Sequence, residues 1–176
     1  IYSCGNFLRG EIFAVIVAYV KYLQKLEKKV QIHYDPDEEC ETIKYASRIN
    51  FFKLLEVDFN EQFNRRNSTG RFVEITEFTQ ENIWDIVHKT VQIFKKSLDI
   101  GVDVLNYISY CFGEVVDNVE THSKSGNGGI LYAQYFPTVQ SIKIFIIDSG
   151  IGFHASLKSS EKYIDLSLEE LSLIHI

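Results

Sequence analysis

Methionine is absent from the 176-residue chain, and the chain has only two prolines and three cysteines. The missing methionine fits either a fragment of a longer protein or a sequence from which residues have been lost. The few prolines and a hydrophobic content of 45% exclude a disordered segment and allow a real core. Cys4, Cys40 and Cys111 are odd in number, far apart and without a CxxC pair. They predict neither a zinc site nor a disulfide framework, and they favour a reducing cytoplasm.

Long apolar runs and positive charge are also scarce. The longest apolar run, Ile12 to Val20, has nine residues, whereas a helix that spans a bilayer needs about 20. The run continues into a lysine-containing segment without a small-residue cleavage site, so we expect no signal peptide. The net charge of -6 argues against nucleic acid as the main partner. This net charge is compatible with nucleotide binding, because backbone N–H groups and a metal ion can hold one triphosphate.

The hydrophobic periodicity divides the chain into two parts. We expect residues 1–66 to form a small α/β unit and residues 67–176 to form a second domain, with a boundary in the polar segment that ends at Gly70. The elements predicted are helices at 11–29, 38–55, 81–98 and 103–122, strands at 30–34, 71–78, 130–136 and 142–147, and a glycine-containing loop at 148–153.

The helix predicted at 103–122 carries three functional side chains at steps of four residues. At about 100° per residue, Glu114, Asn118 and His122 share one face, within about 80° of each other. The opposite face is apolar and predicts the core side of the helix; it consists of Leu105, Ile108, Phe112, Val115, Val116 and Val119. Taken alone, the polar face is more typical of a solvated helix surface than of a binding site.

A second pattern follows the last predicted strand, where Asp148 is followed by Gly150 and Gly152. A carboxylate at the end of a buried strand can accept a hydrogen bond from an exocyclic amine. Two glycines let the backbone approach a flat ring or adopt positive φ. Taken alone, this pattern is also typical of a tight turn at a strand exit.

In this order, and separated by two strands, the two patterns resemble the motifs of the histidine-kinase/gyrase/Hsp90/MutL (GHKL) superfamily of ATP-binding domains. Glu114 and Asn118 match its Glu-x-x-x-Asn helix, and Asp148, Gly150 and Gly152 match its Asp-x-Gly-x-Gly loop. The match covers residues from about 80 to 155. It implies an α+β fold: a two-layer α/β sandwich of the Bergerat type, incomplete at its C-terminus and preceded by the small α/β unit.

The resemblance also implies roles for these residues. Asn118 would place an oxygen on a Mg²⁺ ion that bridges the phosphates, and Glu114 would act as the catalytic general base or polarising group. Asp148 would accept a hydrogen bond from the adenine amino group, with Gly150 and Gly152 beside the base. His122 would contact ATP near the phosphates; a histidine in a last helical turn also interacts favourably with the helix dipole.

The sequence departs from the family after Gly152, where only 24 residues remain and none reads Gly-x-Gly. The family's glycine-rich lid is therefore missing from this stretch. A histidine with the context of a phosphoacceptor is missing too. The first 66 residues more faintly resemble a STAS-like regulatory module through the stretch Tyr45 to Phe52, although a plain packing helix explains that stretch equally well.

Three hypotheses follow for the function. The first is a cytoplasmic, ATP- and Mg²⁺-binding regulatory protein that acts on a protein partner in signalling, as a protein kinase or an ATPase. The second is a degenerate, non-catalytic nucleotide-binding or protein-interaction module. The third is a structural α/β protein in which the two motifs are coincidental.

Overall fold

The computed structural model describes residues 8–34, 40–122 and 128–148 and the single positions 150, 155, 158, 165, 167, 169 and 170, without the side chains of 120–122. Within these residues, helices and a three-stranded sheet confirm the predicted α+β class. The helices are α1 (Gly10–Lys25), α2 (Glu41–Arg48), α3 (Phe51–Leu54), α4 (Ile83–Ser97) and α5 (Val102–His122), and the strands are β1 (Phe72–Phe78), β2 (Gly129–Phe136) and β3 (Ser141–Asp148). A short 3-10 turn at Pro137–Val139 joins β2 to β3.

The sheet is antiparallel and has the order β1-β2-β3, so β2 is its central strand. The hairpin of β2 and β3 is in regular register from Gly129, which faces Asp148, to Phe136, which faces Ser141. On the other side of β2, Phe78 of β1 also pairs with Gly129, and the register shifts between Val73 and Thr76. One end of the sheet is thus formed by the end of β1, the start of β2 and the end of β3.

Helices cover both faces of this sheet. Because side chains alternate along a strand, Ile130 and Tyr132 of β2 pack with α1, α2 and α3, whereas Leu131 and Ala133 pack with α4 and α5. Strand β3 divides in the same way, with Phe145 and Ile147 on the first face and Ile144 and Ile146 on the second. The N-terminal helices therefore share a core with the sheet, while the predicted division into 1–66 and 67–176 stays a prediction.

A pair of tyrosines, Tyr132 buried and Tyr45 half-buried, joins α2 to the sheet on the α1 face. The hydroxyl oxygens of Tyr45 and Tyr132 are 2.6 Å apart, and the Tyr45 hydroxyl donates to Gln134 Oε1 at 2.7 Å. Burial raises the pKa of both phenols. Since buried hydroxyl groups cost free energy unless they are paired, this small network fixes how α2 lies on the strand.

Three expected elements differ from the structure. The expected helix at 38–55 is divided into α2 and α3 at Asn50, which has a φ of 69°. Asparagine tolerates this left-handed conformation better than most residues. The division also leaves the Ile49 carbonyl to accept a hydrogen bond from the Ile75 N–H in β1.

The expected strand at 30–34 is irregular. Val30, Ile32 and Tyr34 do pack against the core as the alternation predicts, but no described strand pairs with them. Helix α1 also ends earlier than expected, at Lys25. A φ of 56° at Glu27 follows its end.

The cysteines also depart from the expectation. Cys40 is buried and forms a disulfide bond, whereas the sequence predicted none, and Cys111 is free and exposed. The cysteines therefore no longer argue for a reducing compartment. None of the described helices combines the length and apolar character that a membrane crossing requires.

The close approach of Tyr132 to α1 predicts that a side chain at position 10 lowers the stability of the protein. A Cβ atom at this position would lie 2.3 Å from Cζ of Tyr132, so Gly10→Ala forces a buried side chain to move. We expect a loss of about 1–3 kcal/mol in the free energy of unfolding, measured by urea denaturation. Gly101→Ala is the matched control, because an added Cβ there has no neighbour within 4 Å. An equal loss in both variants would contradict the observed packing.

Candidate functional site

Helix α5 has one buried face and one exposed polar face. Phe112 and Val116 are buried in the core beneath the sheet, whereas Glu114 and Asn118 are exposed. One expected core residue, Val115, is 49% exposed. At about 100° per residue Val115 lies near the edge of the apolar arc, about 60° from Phe112. The predicted polar face is therefore wider than expected, and its carboxylate and carboxamide are accessible to a ligand.

Strand β3 places Asp148 on the same face of the sheet as α5. Asp148 follows Ile146 by two residues, and Ile146 packs in the core formed with α4 and α5. The two-residue alternation of a strand therefore directs Asp148 to that side. The carboxylate is exposed, and its Oδ1 accepts a hydrogen bond from the Gly150 N–H at 2.8 Å. A hydrogen bond from the backbone N–H two residues later is one that aspartate side chains commonly accept.

The two motifs also lie towards the same end of the sheet. Phe78 and Asp148 both flank Gly129 at that end, and α4 begins five residues after Phe78. A Cβ on Gly113 of α5 would lie 3.6 Å from the ring of Trp84, in the first turn of α4. The segment of α5 that carries Glu114 and Asn118 thus starts beside the beginning of α4, at the end of the sheet where Asp148 lies.

Glycines at the entrance of β2 shape this end of the sheet. Gly128 has a φ of 62°, and its Cβ would lie 1.6 Å from the Phe78 carbonyl oxygen. A Cβ on Gly129 would lie 2.5 Å from the Phe78 ring. Both glycines precede the strand predicted at 130–136, and the local sequence assigns them no role. Their conformational role depends on β1, which lies about 50 residues earlier in the chain.

Two predicted site residues, His122 and Gly152, are not fully described in the structure. His122 is the last residue of α5, but its side chain is not described. Gly152 is also outside the described residues, whereas Gly150 is half-buried. No salt bridge joins Asp148 to another described residue. The roles predicted for these residues stay predictions.

Two of the cavities formed by described residues lie elsewhere, and no predicted site residue lines either of them. One, of about 250 Å³, lies between α1 and the same end of the sheet but on the opposite face. The other, of about 40 Å³, lies beside Ile43 and Phe59. The described residues also contain no group of three or more His, Cys, Asp or Glu side chains suited to hold a metal ion.

Comparison with known proteins adds no relative. No family model matches this chain, and neither a curated protein nor a solved structure matches it. The inferences on function therefore rest on the two motifs and on the positions of their residues in the fold.

The orientation of α5 can be tested with two neighbouring valines. Val116 is fully buried, whereas Val115 is 49% exposed. We expect Val116→Ala to lower the free energy of unfolding by about 2 kcal/mol, because it leaves a cavity in the core. Val115→Ala should change it by no more than about 0.5 kcal/mol. Urea denaturation followed by circular dichroism measures both; a larger loss for Val115→Ala would mean that Glu114 and Asn118 do not face solvent.

Proposed function

We propose that this protein binds Mg-ATP at the end of the sheet between α5 and the exit of β3, and that it regulates a protein partner. The observation that supports the proposal most is the placement of the two motifs. Asp148 and the pair Glu114 and Asn118 lie on one face and towards one end of the sheet, although they are about 30 residues apart in sequence. Coincidental motifs would be as common on opposite faces.

The adenine end of the site depends on Asp148. Its Oδ1 is engaged by the Gly150 N–H, and a carboxylate has further lone pairs to accept a hydrogen bond from the exocyclic amine of adenine. Guanine has a carbonyl oxygen at the corresponding position and would be repelled. Because the hydrogen bond from Gly150 holds the carboxylate in place, less entropy is lost when the base binds.

The phosphate end depends on α5. Asn118 supplies a side-chain oxygen, the type of ligand that Mg²⁺ prefers. Glu114, one turn earlier on the same exposed face, would polarise or deprotonate the attacking water or acceptor hydroxyl. In this proposal α5 positions the reacting phosphate, and the strand exit selects the base. The proposal includes the Bergerat-type fold that the resemblance predicts, which is more specific than the observed α+β class.

A second candidate function is a protein-interaction module without catalysis. It is favoured by the apolar side chains that α5 exposes near the same face, at Val104, Tyr107, Tyr110 and Val115. Apolar and aromatic surface of this kind is typical of protein contacts. The two functions differ in whether Glu114 carries out chemistry.

Nucleotide binding is tested with Asp148→Asn. We expect this variant to bind a non-hydrolysable Mg-ATP analogue about tenfold more weakly or worse, since a hydrogen bond to a charged group is lost. Isothermal titration calorimetry measures the dissociation constant. The charge-matched control is Asp103→Asn, in the first turn of α5, which should bind like the unchanged protein. Equal binding by the unchanged protein and Asp148→Asn would exclude the role of Asp148 in base recognition.

Catalysis is tested with Glu114→Ala. We expect this variant to bind the same analogue with a nearly unchanged dissociation constant but to lose at least about 100-fold in phosphate release or phosphotransfer, because general-base catalysis contributes about 10²–10⁴-fold. Asp103→Asn serves again as the control. If the unchanged protein binds the analogue but neither releases nor transfers phosphate, the protein is a non-catalytic binder.

A further inference from the structure

Helix α1 has two apolar faces. One face is buried in the core that α1 shares with the sheet, and its members are Phe13, Ala14, Val17, Ala18 and Val20. The other face is exposed, and its large side chains are Ile12, Val15, Tyr19, Tyr22 and Leu26, the last of which is the C-cap residue. A helix that is apolar on all sides is normally buried on all sides. We therefore expect another surface to cover the exposed face.

This exposed face, which we call the α1 stripe, is a narrow band. At about 100° per residue, its five side chains lie within about 80° of each other, and their mean direction is about 170° from that of the buried face. Their exposed fractions range from 40% at Tyr22 to 60% at Tyr19. The α1 stripe therefore points away from the sheet, and the described fold leaves it uncovered.

The spacing within the α1 stripe indicates the kind of partner. Its members follow each other at steps of three, four, three and four residues, which is the spacing of the apolar positions in a coiled coil. A helix that covers a broad apolar surface has an apolar arc of at least about 100°, whereas a narrower band is typical of the seam between two helices. The partner that fits the α1 stripe is therefore a helix with a similar band.

We propose that the α1 stripe pairs with the α1 stripe of a second copy of this chain, so that two chains form a dimer through antiparallel α1 helices. The same residues then lie on both sides of a twofold axis, and the interface is complementary to itself. At the exposed fractions observed, each stripe holds roughly 500 Å² of accessible surface, so the pair buries on the order of 1,000 Å². This area is about the least that a specific interface needs.

The charges next to α1 favour the antiparallel direction. Lys28 and Lys29 follow the end of α1 and are exposed, with Glu27 as the neighbouring carboxylate. A parallel pair would bring the lysines of both copies together, and like charges repel. An antiparallel pair separates them by the length of the helix, about 20 Å. The two sheets then lie on the outer sides of the helix pair, and the proposed ATP site, on the opposite face of each sheet, remains accessible.

The oligomeric state of the full chain tests this proposal, measured by sedimentation equilibrium over a range of protein concentrations. We expect a monomer–dimer equilibrium with a dissociation constant on the order of 10 μM, because the interface is small. Tyr19→Glu should raise this constant at least about tenfold, since the symmetry places the new charge in the seam twice. Val15→Glu should act in the same direction. Urea denaturation verifies that both variants are folded.

The matched control is Tyr107→Glu, because Tyr107 is an exposed tyrosine of α5 outside the α1 stripe. This variant should dimerise like the unchanged protein. Vesicles of phosphatidylglycerol and phosphatidylcholine test a lipid surface as the partner instead, and we expect no co-sedimentation with them. Three results would overturn the proposal: an unchanged protein that stays monomeric whether or not it binds vesicles, a dimer unaffected by Tyr19→Glu, or an equal loss of dimer in Tyr107→Glu.

Discussion

The structure depends on the burial of both faces of strand β2. This strand pairs with β1 on one side and with β3 on the other, and its successive side chains belong to two different cores. Tyr132 and Leu131, neighbours in sequence, are both fully buried but pack against different helical layers. A slip of the register by one residue would exchange the two sets of side chains, so the position of every helix relative to the sheet is tied to this register.

Local periodicity was sufficient to predict the elements whose stability comes from one continuous amphipathic pattern. Helix α5 begins one residue before its predicted start. Strand β2 begins one residue early, and β3 is longer than predicted by one residue at each end. Elements that depend on a distant partner were not predictable in this way. The break at Asn50 accompanies a hydrogen bond from Ile75 to the Ile49 carbonyl, and residues 30–34 alternate like a strand but have no described strand beside them.

The candidate site shows the same division between local and long-range information. Helical spacing predicted that Glu114 and Asn118 share a face, and both are exposed on α5. That Asp148 projects from the same face of the sheet follows from the core contacts of Ile146 two residues earlier, which required the tertiary structure. The cavity of about 250 Å³ between α1 and the sheet had no signal in the sequence, since Lys25 and Ile147 come together only through the packing of α1 on β3.

The last two residues of β3 face opposite sides of the sheet. Ile147 faces the core and the cavity under α1. Asp148, the next residue, faces the side of the sheet that α5 covers. The end of β3 therefore borders both sides of the sheet. A shift of its backbone towards one side moves it away from the other side. If ligands bound on the two sides both shift this end of β3, thermodynamic reciprocity requires that each ligand changes the affinity for the other by the same factor.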